Sequence, residues 1–588
     1  MDSVSSTREC EAGAALPPAL TAVIERVIRG TRLWPSEKRD VRAELESHFR
    51  EGLIELADEG LPLDASIQVL CESFGNPDMA ARLIRRGKKR GRPMLWKIAI
   101  SITGTIVGLL AAGGGYAAYL KYGKPNPSVD YLAELNEPTE LISEAQRAWP
   151  SLRAAILAFE PMPQALTDAN GAAMRPGDEQ WPEVQEWLAK NRPLMAELRD
   201  AASKPYYGFI YGGDDTTEFL KALAIRNRTG DIAQSIAENE ADPLAPRLIS
   251  ILLPHLAEIR GVSRFLVLNA RDHAANGQWE SAWESLELCH RLGITMFQGK
   301  TLIEQLMGVA VVRLAQNELV EMLGERQGLL SKSELEQLAQ SQFATLDLSV
   351  LTPHYEGERL MFSDIVQYVF TDDGMGNGRL IPSQYARVMS MGTEAPSGDG
   401  LLDNLGEDAT LLAMAAQHAD RVDTVARYER LWTESSRYRS LPLYDSNRDM
   451  ADQLVRDLSE GGDAKRFALI ATLMPSMSRA DQLIRECAMS CDVVRAVVAL
   501  ARFRSDRGEW PAVADQLVPT YLDALPVDAY SGQPIRYMLD SQGTPVLYSV
   551  GRNLTDEGGS GVEYDERGYN ARGTRTTMDM VFFPAAKK

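Results

Sequence analysis

IAISITGTIVGLLAAGGGYAAYL, residues 98–120, is the stretch around which the rest of the chain is organised. It contains 23 residues and no charged side chain. A helix of this length is about 35 Å long, which is enough to cross a hydrocarbon core of roughly 30 Å. The sequence therefore predicts one transmembrane helix, over residues 97–121, with the lipid bilayer as its partner.

The charges that flank this stretch predict its orientation. Residues 81–97 contain eight Lys and Arg side chains and no acidic one, whereas the far side offers only Lys121 and Lys124 close by. By the positive-inside rule the N-terminus stays in the cytoplasm and the residues after the helix are exported. A signal peptide is a poor alternative, because 97 residues precede the apolar run. We expect a single-pass protein of the bacterial inner membrane, with a periplasmic or otherwise extracytoplasmic C-terminal domain.

Length, net charge and cysteine content limit the classes of protein to which this chain can belong. A chain of 588 residues is long enough for several domains, and its net charge of −20 argues against nucleic acid as a partner. Five cysteines are too few for a fold built on disulfides. Cys487 and Cys491 lie four residues apart on a predicted helix, where two buried thiols are favoured over a disulfide or a metal site.

The fold class predicted from hydrophobic periodicity is mainly α. Residues 1–16 are predicted to be disordered, residues 17–92 to form a cytoplasmic helical bundle, and residues 127–505 to form a large exported helical domain. Residues 506–588 are predicted to form a small α+β tail with a β-hairpin, its strands at 535–539 and 546–550 and a further strand at 578–583. Residues 390–405 read as a flexible surface loop.

The N-terminal helices resemble a known family of regulatory modules. Residues 41–84 read VRAELESHFREGLIELADEGLPLDASIQVLCESFGNPDMAARLI. The helix with Glu44 and His48, the break at Gly60, Ala65 and the closure at residues 75–77 are similar to the HAAS or permease-prefix family. Modules of this family precede bacterial membrane segments, and the resemblance implies a role in signalling or regulation without enzymatic activity.

The membrane helix also carries a pattern that favours self-association. Gly104 and Gly108 form a G-x-x-x-G spacing, and small residues continue to Gly115. Small residues at this spacing let two helices approach closely, although glycine is common in membrane helices in any case. A homodimer through Gly104 and Gly108 is therefore one expectation, beside an unidentified protein partner.

The best candidate for a site is TDDGMGNGRLIPSQ, residues 371–384, directly after a predicted helix. In a register that starts at Asp373, Asn377 falls at position 5 and Gln384 at position 12, which resembles an EF-hand-like calcium loop. Met375 stands at position 3 and Gln384 replaces the bidentate Glu, so the ligand set is incomplete. A glycine-rich polar turn explains the segment without a metal, and both interpretations remain open.

The C-terminal tail resembles the end of type II secretion major pseudopilins. The resemblance rests on LPVDAYSGQPIRY, residues 525–537, and LYSVGRNLTDEGG, residues 547–559. Similar tails close membrane-anchored proteins of planctomycete-type bacteria. In pseudopilins the loop after the hairpin can hold calcium, so the resemblance implies Asp556 and Asp528 as ligands. Here the apolar anchor lies far upstream of this tail, which argues against pilus assembly.

Local catalytic motifs are missing from the sequence. There is no H-E-x-x-H and no G-x-S-x-G, and GITMFQGKT, residues 293–301, has one residue too many between its glycines for a phosphate loop. The function predicted is therefore that of a membrane-anchored binding, scaffold or signalling protein. The alternative is an exported hydrolase whose carboxylates are dispersed in sequence and gathered in a pocket.

Overall fold

A computed structural model of the chain describes residues 15–88, 93–168, 173–212, 214–227, 246–249, 251, 253, 255–325, 330–390, 410–474, 477–559 and 579–584. These residues are mainly helical and include one small antiparallel sheet, as the sequence predicts. The chain divides into two compact units, Met1–Tyr116 and Ala117–Lys588, which we call the N-terminal and C-terminal units. The disorder predicted before residue 15 and the loop predicted over residues 391–405 lie outside the described residues.

The N-terminal unit begins with four helices and continues into the apolar one. The helices are α1 (Pro18–Thr31), α2 (Pro35–Asp58), α3 (Leu63–Phe74), α4 (Pro77–Lys88) and α5 (Pro93–Tyr122), the last of which ends in the C-terminal unit. Leu20, Ile24 and Ile28 lie at helical spacing on α1 and pack with Phe49 of α2. Together with partly buried side chains of α3, this small apolar cluster is the core of α1, α2 and α3.

The described part of the C-terminal unit is built mainly from helices. They are α6 (Tyr131–Glu140), α7 (Trp149–Ala158), α8 (Gln164–Asp168), α9 (Trp181–Asn191), α10 (Met195–Ser203), α11 (Asp214–Asn227), α12 (His255–Ala275), α13 (Trp279–Phe297), α14 (Leu302–Glu325), α15 (Lys332–Gln340), α16 (Gln342–Thr345), α17 (Glu356–Val369), α18 (Pro382–Ser390), α19 (Arg421–Arg439), α20 (Met450–Glu460), α21 (Ala468–Leu473) and α22 (Met477–Arg507). Helices α12, α13, α14 and α22 pack together at the centre.

The sheet contains three short antiparallel strands in the order β1 (Arg536–Leu539), β2 (Pro545–Ser549) and β3 (Met580–Phe583). Tyr537 pairs with Leu547 across the hairpin, and Leu547 pairs in turn with Phe583. Leu547 and Phe583 are both buried in the same core as the central helices. The hairpin and the helices that precede it therefore share one apolar core.

Candidate functional site

One helix among the described residues is long and apolar enough to cross a membrane, and it spans Ile100–Tyr122. Its apolar side chains are left exposed by the rest of the chain, as for Leu109 at 68% and Leu110 at 70%. A soluble protein rarely leaves a continuous apolar surface of this length open to water. This helix is consistent with a single membrane span.

The last turn of α5 is part of the core of the C-terminal unit. Leu120 is only 1% exposed and belongs to the same apolar cluster as Val366 and Phe370 at the end of α17. The hydroxyl of Tyr119 shares a hydrogen bond of 2.9 Å with Oγ1 of Thr371. A Cβ atom at Gly123 would lie 2.6 Å from Cγ2 of Thr371. The backbone at Gly123 is therefore in close contact with the Thr371 side chain.

The segment that follows α5 is held by one buried amide side chain. Oε1 of Gln367 accepts hydrogen bonds from the backbone N–H groups of Ser128 and Val129, both at 3.2 Å. Nε2 of Gln367 donates to the carbonyl of Val129 at 2.9 Å and to Asp364 at 3.0 Å. Since Gln367 is only 2% exposed, these bonds fix the exit from the apolar helix against α17.

The loop predicted to bind calcium follows α17 directly. Oδ1 of Asp373 accepts hydrogen bonds from the N–H groups of Met375 at 2.8 Å and Asn377 at 3.0 Å. These bonds to the charged form lower the pKa of Asp373. Oδ1 of Asn377 accepts from the N–H groups of Gly378 and Val422. Both predicted ligands thus accept backbone hydrogen bonds that close the turn.

Gln384 lies apart from these turn bonds, in the first turn of α18, and its Oε1 is buried without a hydrogen-bond partner among the described residues. Met375, at the position where an oxygen ligand is wanted, is 92% exposed. The hydrogen bonds of Asp373 and Asn377 account for the loop as a polar turn. Calcium binding by Asp373, Asn377 and Gln384 stays a prediction.

The two tail carboxylates differ in their surroundings. Asp528 is fully buried, and its two oxygens accept hydrogen bonds from Ser549, Ser531 and the N–H groups of Tyr530 and Val550. It therefore organises the turn into the hairpin.

Asp556 is more exposed than Asp528. It accepts a hydrogen bond of 2.9 Å from the hydroxyl of Tyr548 and lies 3.6 Å from Nε of Arg536. In the part of the chain that the structure describes, no group of three His, Cys, Asp or Glu side chains is placed to hold a metal ion. A calcium site at Asp556 also stays a prediction.

Cys487 and Cys491 are buried free thiols on α22. Nε2 of Gln316 on α14 lies 2.9 Å from Sγ of Cys491. Contact with Cys487 and burial raise the pKa of the Cys491 thiol. The pair packs as the sequence predicts for core thiols.

A buried polar cluster lies where α12, α14 and α17 begin. We call it the Glu304 cluster; its members are Tyr207, Tyr211, His255, Glu304 and Glu358. Oε2 of Glu304 accepts hydrogen bonds from the N–H of Thr301 at 3.1 Å, from the Thr301 hydroxyl at 2.8 Å and from the hydroxyl of Tyr211. Oε1 of Glu358 accepts from the N–H of Leu302. Two carboxylates therefore share the N-terminus of α14, where the helix dipole favours negative charge.

His255 completes this cluster from the start of α12. Its Nε2 lies 3.1 Å from the hydroxyl of Tyr207 and 3.7 Å from Oε1 of Glu304. The rings of Trp149 and Phe209 lie against the imidazole, with centroids 5.4 and 4.6 Å away. Aromatic side chains thus enclose the imidazole, which is only 1% exposed.

Burial changes the acidity of this cluster. Desolvation, with a smaller contribution from the nearby charge of Glu304, raises the pKa of Glu358 to about 7. Desolvation also raises the pKa of the Tyr207 and Tyr211 hydroxyls. A carboxyl group with a pKa near neutrality can exchange a proton under physiological conditions, which is the chemistry of a general acid or base.

Sequence reasoning did not find the Glu304 cluster. Its members come from four separate stretches of the chain; Tyr207 and Tyr211 are four residues apart, and Glu304 follows its hydrogen-bond partner Thr301 by three. Their spacing, Thr-x-x-Glu before an apolar run, is the pattern of a helix capping box. That pattern was the one local signal, and it lies at the end of the segment that imitates a phosphate loop.

Two cavities lie elsewhere in the C-terminal unit. One, of about 450 Å³, is lined by α9 and α12 and includes Phe159, Trp187, Gly261 and Arg264. The other, of about 300 Å³, lies between α22 and the tail and includes Tyr444, Met489, Asp492 and Asp528. Neither cavity is lined by a member of the Glu304 cluster.

Comparisons of the chain with protein-family models, with curated proteins and with solved structures found no match.

Proposed function

We propose that this chain is a single-pass membrane protein with a binding, scaffold or signalling role, whose C-terminal unit includes the last turn of the membrane helix in its core. The burial of Leu120 in the core of that unit carries the proposal. A domain tethered by a flexible linker cannot pass a change in its own state to the membrane helix. A domain whose core includes the last turn of the helix can do so.

The orientation belongs to the same proposal. The eight basic residues before the span favour a cytoplasmic N-terminus and an extracytoplasmic C-terminal unit in a bacterial inner membrane. We test it by adding protease to spheroplasts that make the full-length protein. The proposal predicts that the C-terminal unit is degraded and that the N-terminal helices are protected. Degradation of the N-terminal helices alone would show that the protein has the opposite orientation.

Self-association through the span is the signalling step that the sequence favours. A Cβ atom added at Gly104 or Gly108 would meet nothing within 4 Å, so this face of α5 is open to a second helix. Cysteines at these positions are predicted to form disulfide-linked dimers in membranes. Cysteines at Ile106 and Leu110 are the matched controls, because they lie on the opposite face of the same helix. Equal cross-linking at all four positions would contradict the dimer.

The Glu304 cluster is the observation that favours the alternative, a hydrolase with dispersed carboxylates. Two carboxylates and a histidine meet there, and the pKa of Glu358 is raised to about 7. However, Glu304 and His255 are at most 1% exposed, and neither of the two cavities described above is lined by a member of the cluster. A substrate needs an opening to reach such groups. The cluster is better explained as the stabilisation of the start of α14.

A further inference from the structure

The helix α4 turns one face toward α1. Ala81 is 1% exposed, and a Cβ atom at Gly30 of α1 would lie 2.8 Å from the Cβ of Ala81. Arg26 of α1 forms an ion pair of 2.8 Å with Asp78 of α4. These contacts fix the rotation of α4 about its axis, and so they determine which of its side chains point away from α1.

The outward face of α4 is both apolar and basic. Met79, Arg82, Leu83 and Arg86 are spaced i, i+3, i+4 and i+7, which places them on one stripe of a helix. We call this stripe the outer face of α4. Met79 is 64% exposed and Leu83 is 60% exposed, and both arginines are exposed as well. A helix with apolar and basic side chains on its exposed face suits the boundary between lipid headgroups and acyl chains.

The position of α4 in the chain keeps it close to the proposed membrane span. Only four residues separate Lys88, the last residue of α4, from Pro93, the first residue of α5. Even a fully extended chain covers at most about 18 Å over that distance. The outer face of α4 is therefore within reach of the headgroups that surround the start of α5.

A second exposed apolar side chain among these helices shows that charge distinguishes the outer face of α4. Ile54 on α2 is 63% exposed, as much as Met79, but its helical neighbours include three acidic side chains, Glu51, Glu55 and Asp58, against one basic side chain, Arg50. An anionic lipid surface attracts the arginines of α4 and repels the carboxylates around Ile54. The two sites thus offer a matched comparison.

We propose that the outer face of α4 binds the anionic lipid headgroups of the leaflet nearest the N-terminal helices. The guanidinium groups of Arg82 and Arg86 pair with lipid phosphates, and the side chains of Met79 and Leu83 enter the acyl boundary. This inference rests on the proposed membrane span. It adds a second contact with the bilayer, which holds the four N-terminal helices on the membrane surface.

The test uses full-length protein with its cysteines at 10 and 71 changed to alanine, reconstituted in vesicles. Spin labels are attached to Leu83→Cys, to Ile54→Cys as the acidic control and to Ile106→Cys as the reference for the span. Collision with oxygen and with a water-soluble nickel complex reports the depth of each label. The vesicles contain phosphatidylcholine alone or mixed with phosphatidylglycerol.

We expect the label at 83 to leave water only in vesicles that contain phosphatidylglycerol, and the label at 54 to stay in water in both. Arg82→Gln with Arg86→Gln is expected to reduce the ratio of membrane-bound to water-exposed label at 83 by about thirtyfold, at the usual contribution of two basic residues. Arg39→Gln with Arg50→Gln, which changes two exposed arginines on α2, is expected to leave it unchanged.

Two results would overturn the proposal in distinguishable ways. If the label at 106 lies in hydrocarbon and the label at 83 stays in water with phosphatidylglycerol present, the outer face of α4 does not bind lipid. If the label at 106 is itself in water, the membrane span fails, and the proposed function and this inference fail together.

Discussion

The four N-terminal helices and the C-terminal unit differ in how deeply their ion pairs are buried. The ion pairs Arg26–Asp78 and Arg42–Glu25 of the N-terminal helices lie at the surface, above a small apolar core. The C-terminal unit has surface pairs too, but it also buries some: Arg271 and Glu318 are 7% and 3% exposed, and Nε and a terminal nitrogen of Arg271 lie 2.8 and 2.6 Å from the two Glu318 oxygens. A surface pair contributes little, whereas a buried pair is costly to break.

This difference indicates how each part depends on its side chains. The interior of the C-terminal unit requires specific polar partners, among them the Glu304 cluster and the Arg271–Glu318 pair. The N-terminal helices require mainly a close apolar fit, and they leave apolar and basic side chains free for another surface.

The largest effect is expected from Glu318→Gln. The substitution removes the carboxylate that pairs with the buried Arg271 guanidinium, so the free energy of unfolding of the C-terminal unit should fall by about 4 kcal/mol. Denaturant unfolding of the full-length protein in lipid measures it. Glu284→Gln is the matched control, because its pair with Arg199 is 40% and 51% exposed and should contribute at most about 1 kcal/mol. Equal losses of unfolding free energy in the two variants would show that the buried pair contributes no more than the exposed one.

Glu358→Gln should stabilise the protein in a pH-dependent way. Burial raises the pKa of Glu358 to about 7 in the folded state, above its ordinary value of 4.5 in the unfolded chain. The folded state therefore holds a proton that the unfolded state releases, so this contribution to stability is complete below pH 4.5 and is lost as the pH rises through 7.

Glutamine cannot ionise and still accepts the hydrogen bond from Leu302. At pH 8 the free energy of unfolding of the Glu358→Gln variant should be about 3 kcal/mol higher than that of the parent, whereas at about pH 4 the two should nearly coincide. Glu356→Gln, at an exposed position of the same helix, serves as the control. A difference that does not change with pH would show that Glu358 is not the titrating group.

A smaller effect is expected from Gly30→Ala in the N-terminal helices. The new methyl group would lie 2.8 Å from Ala81 and force α1 and α4 apart, at a net cost of about 1 kcal/mol. Gly87→Ala on α4 meets nothing within 4 Å and should instead stabilise the helix slightly. Amide hydrogen exchange of α1 and α4 measures both. Effects of the same sign would refute the close contact.

The smallest effect is expected from Asp373→Ala. The carboxylate accepts hydrogen bonds from the N–H groups of Met375 and Asn377, so its loss should speed hydrogen exchange at these two amides without changing the global unfolding midpoint. As a polar turn, the loop should exchange equally with and without calcium. Slower exchange in calcium that disappears in Asp373→Ala would establish the calcium site, and Asp556→Ala tests the tail in the same way.

The parts that the sequence predicted are those with a local signal. The apolar run of α5, the helical spacing of Leu20, Ile24 and Ile28, and the alternation in β1 and β2 can each be read from neighbouring residues. Together they predict a mainly helical chain with one apolar helix and a small antiparallel sheet, and the structure agrees.

The parts that the sequence did not predict depend on long-range contacts. Leu120 reads as one more apolar residue of the span, and nothing near it in sequence indicates that Val366 and Phe370 cover it. Glu304, Glu358 and His255 meet only after α12, α14 and α17 have packed. The burial that raises the pKa of Glu358 arises from that packing and has no local pattern.

The attachment of α5 to the C-terminal unit is tested most directly by Leu120→Ala, with Leu110→Ala as the control on the same helix. Leu120 is 1% exposed and Leu110 is 70% exposed. In full-length protein in lipid nanodiscs, Leu120→Ala should lower the free energy of unfolding of the C-terminal unit by about 3 kcal/mol, because it leaves a cavity beside α17. Leu110→Ala should leave it unchanged. If neither variant changes the unfolding of that unit, the end of the apolar helix is not part of its core.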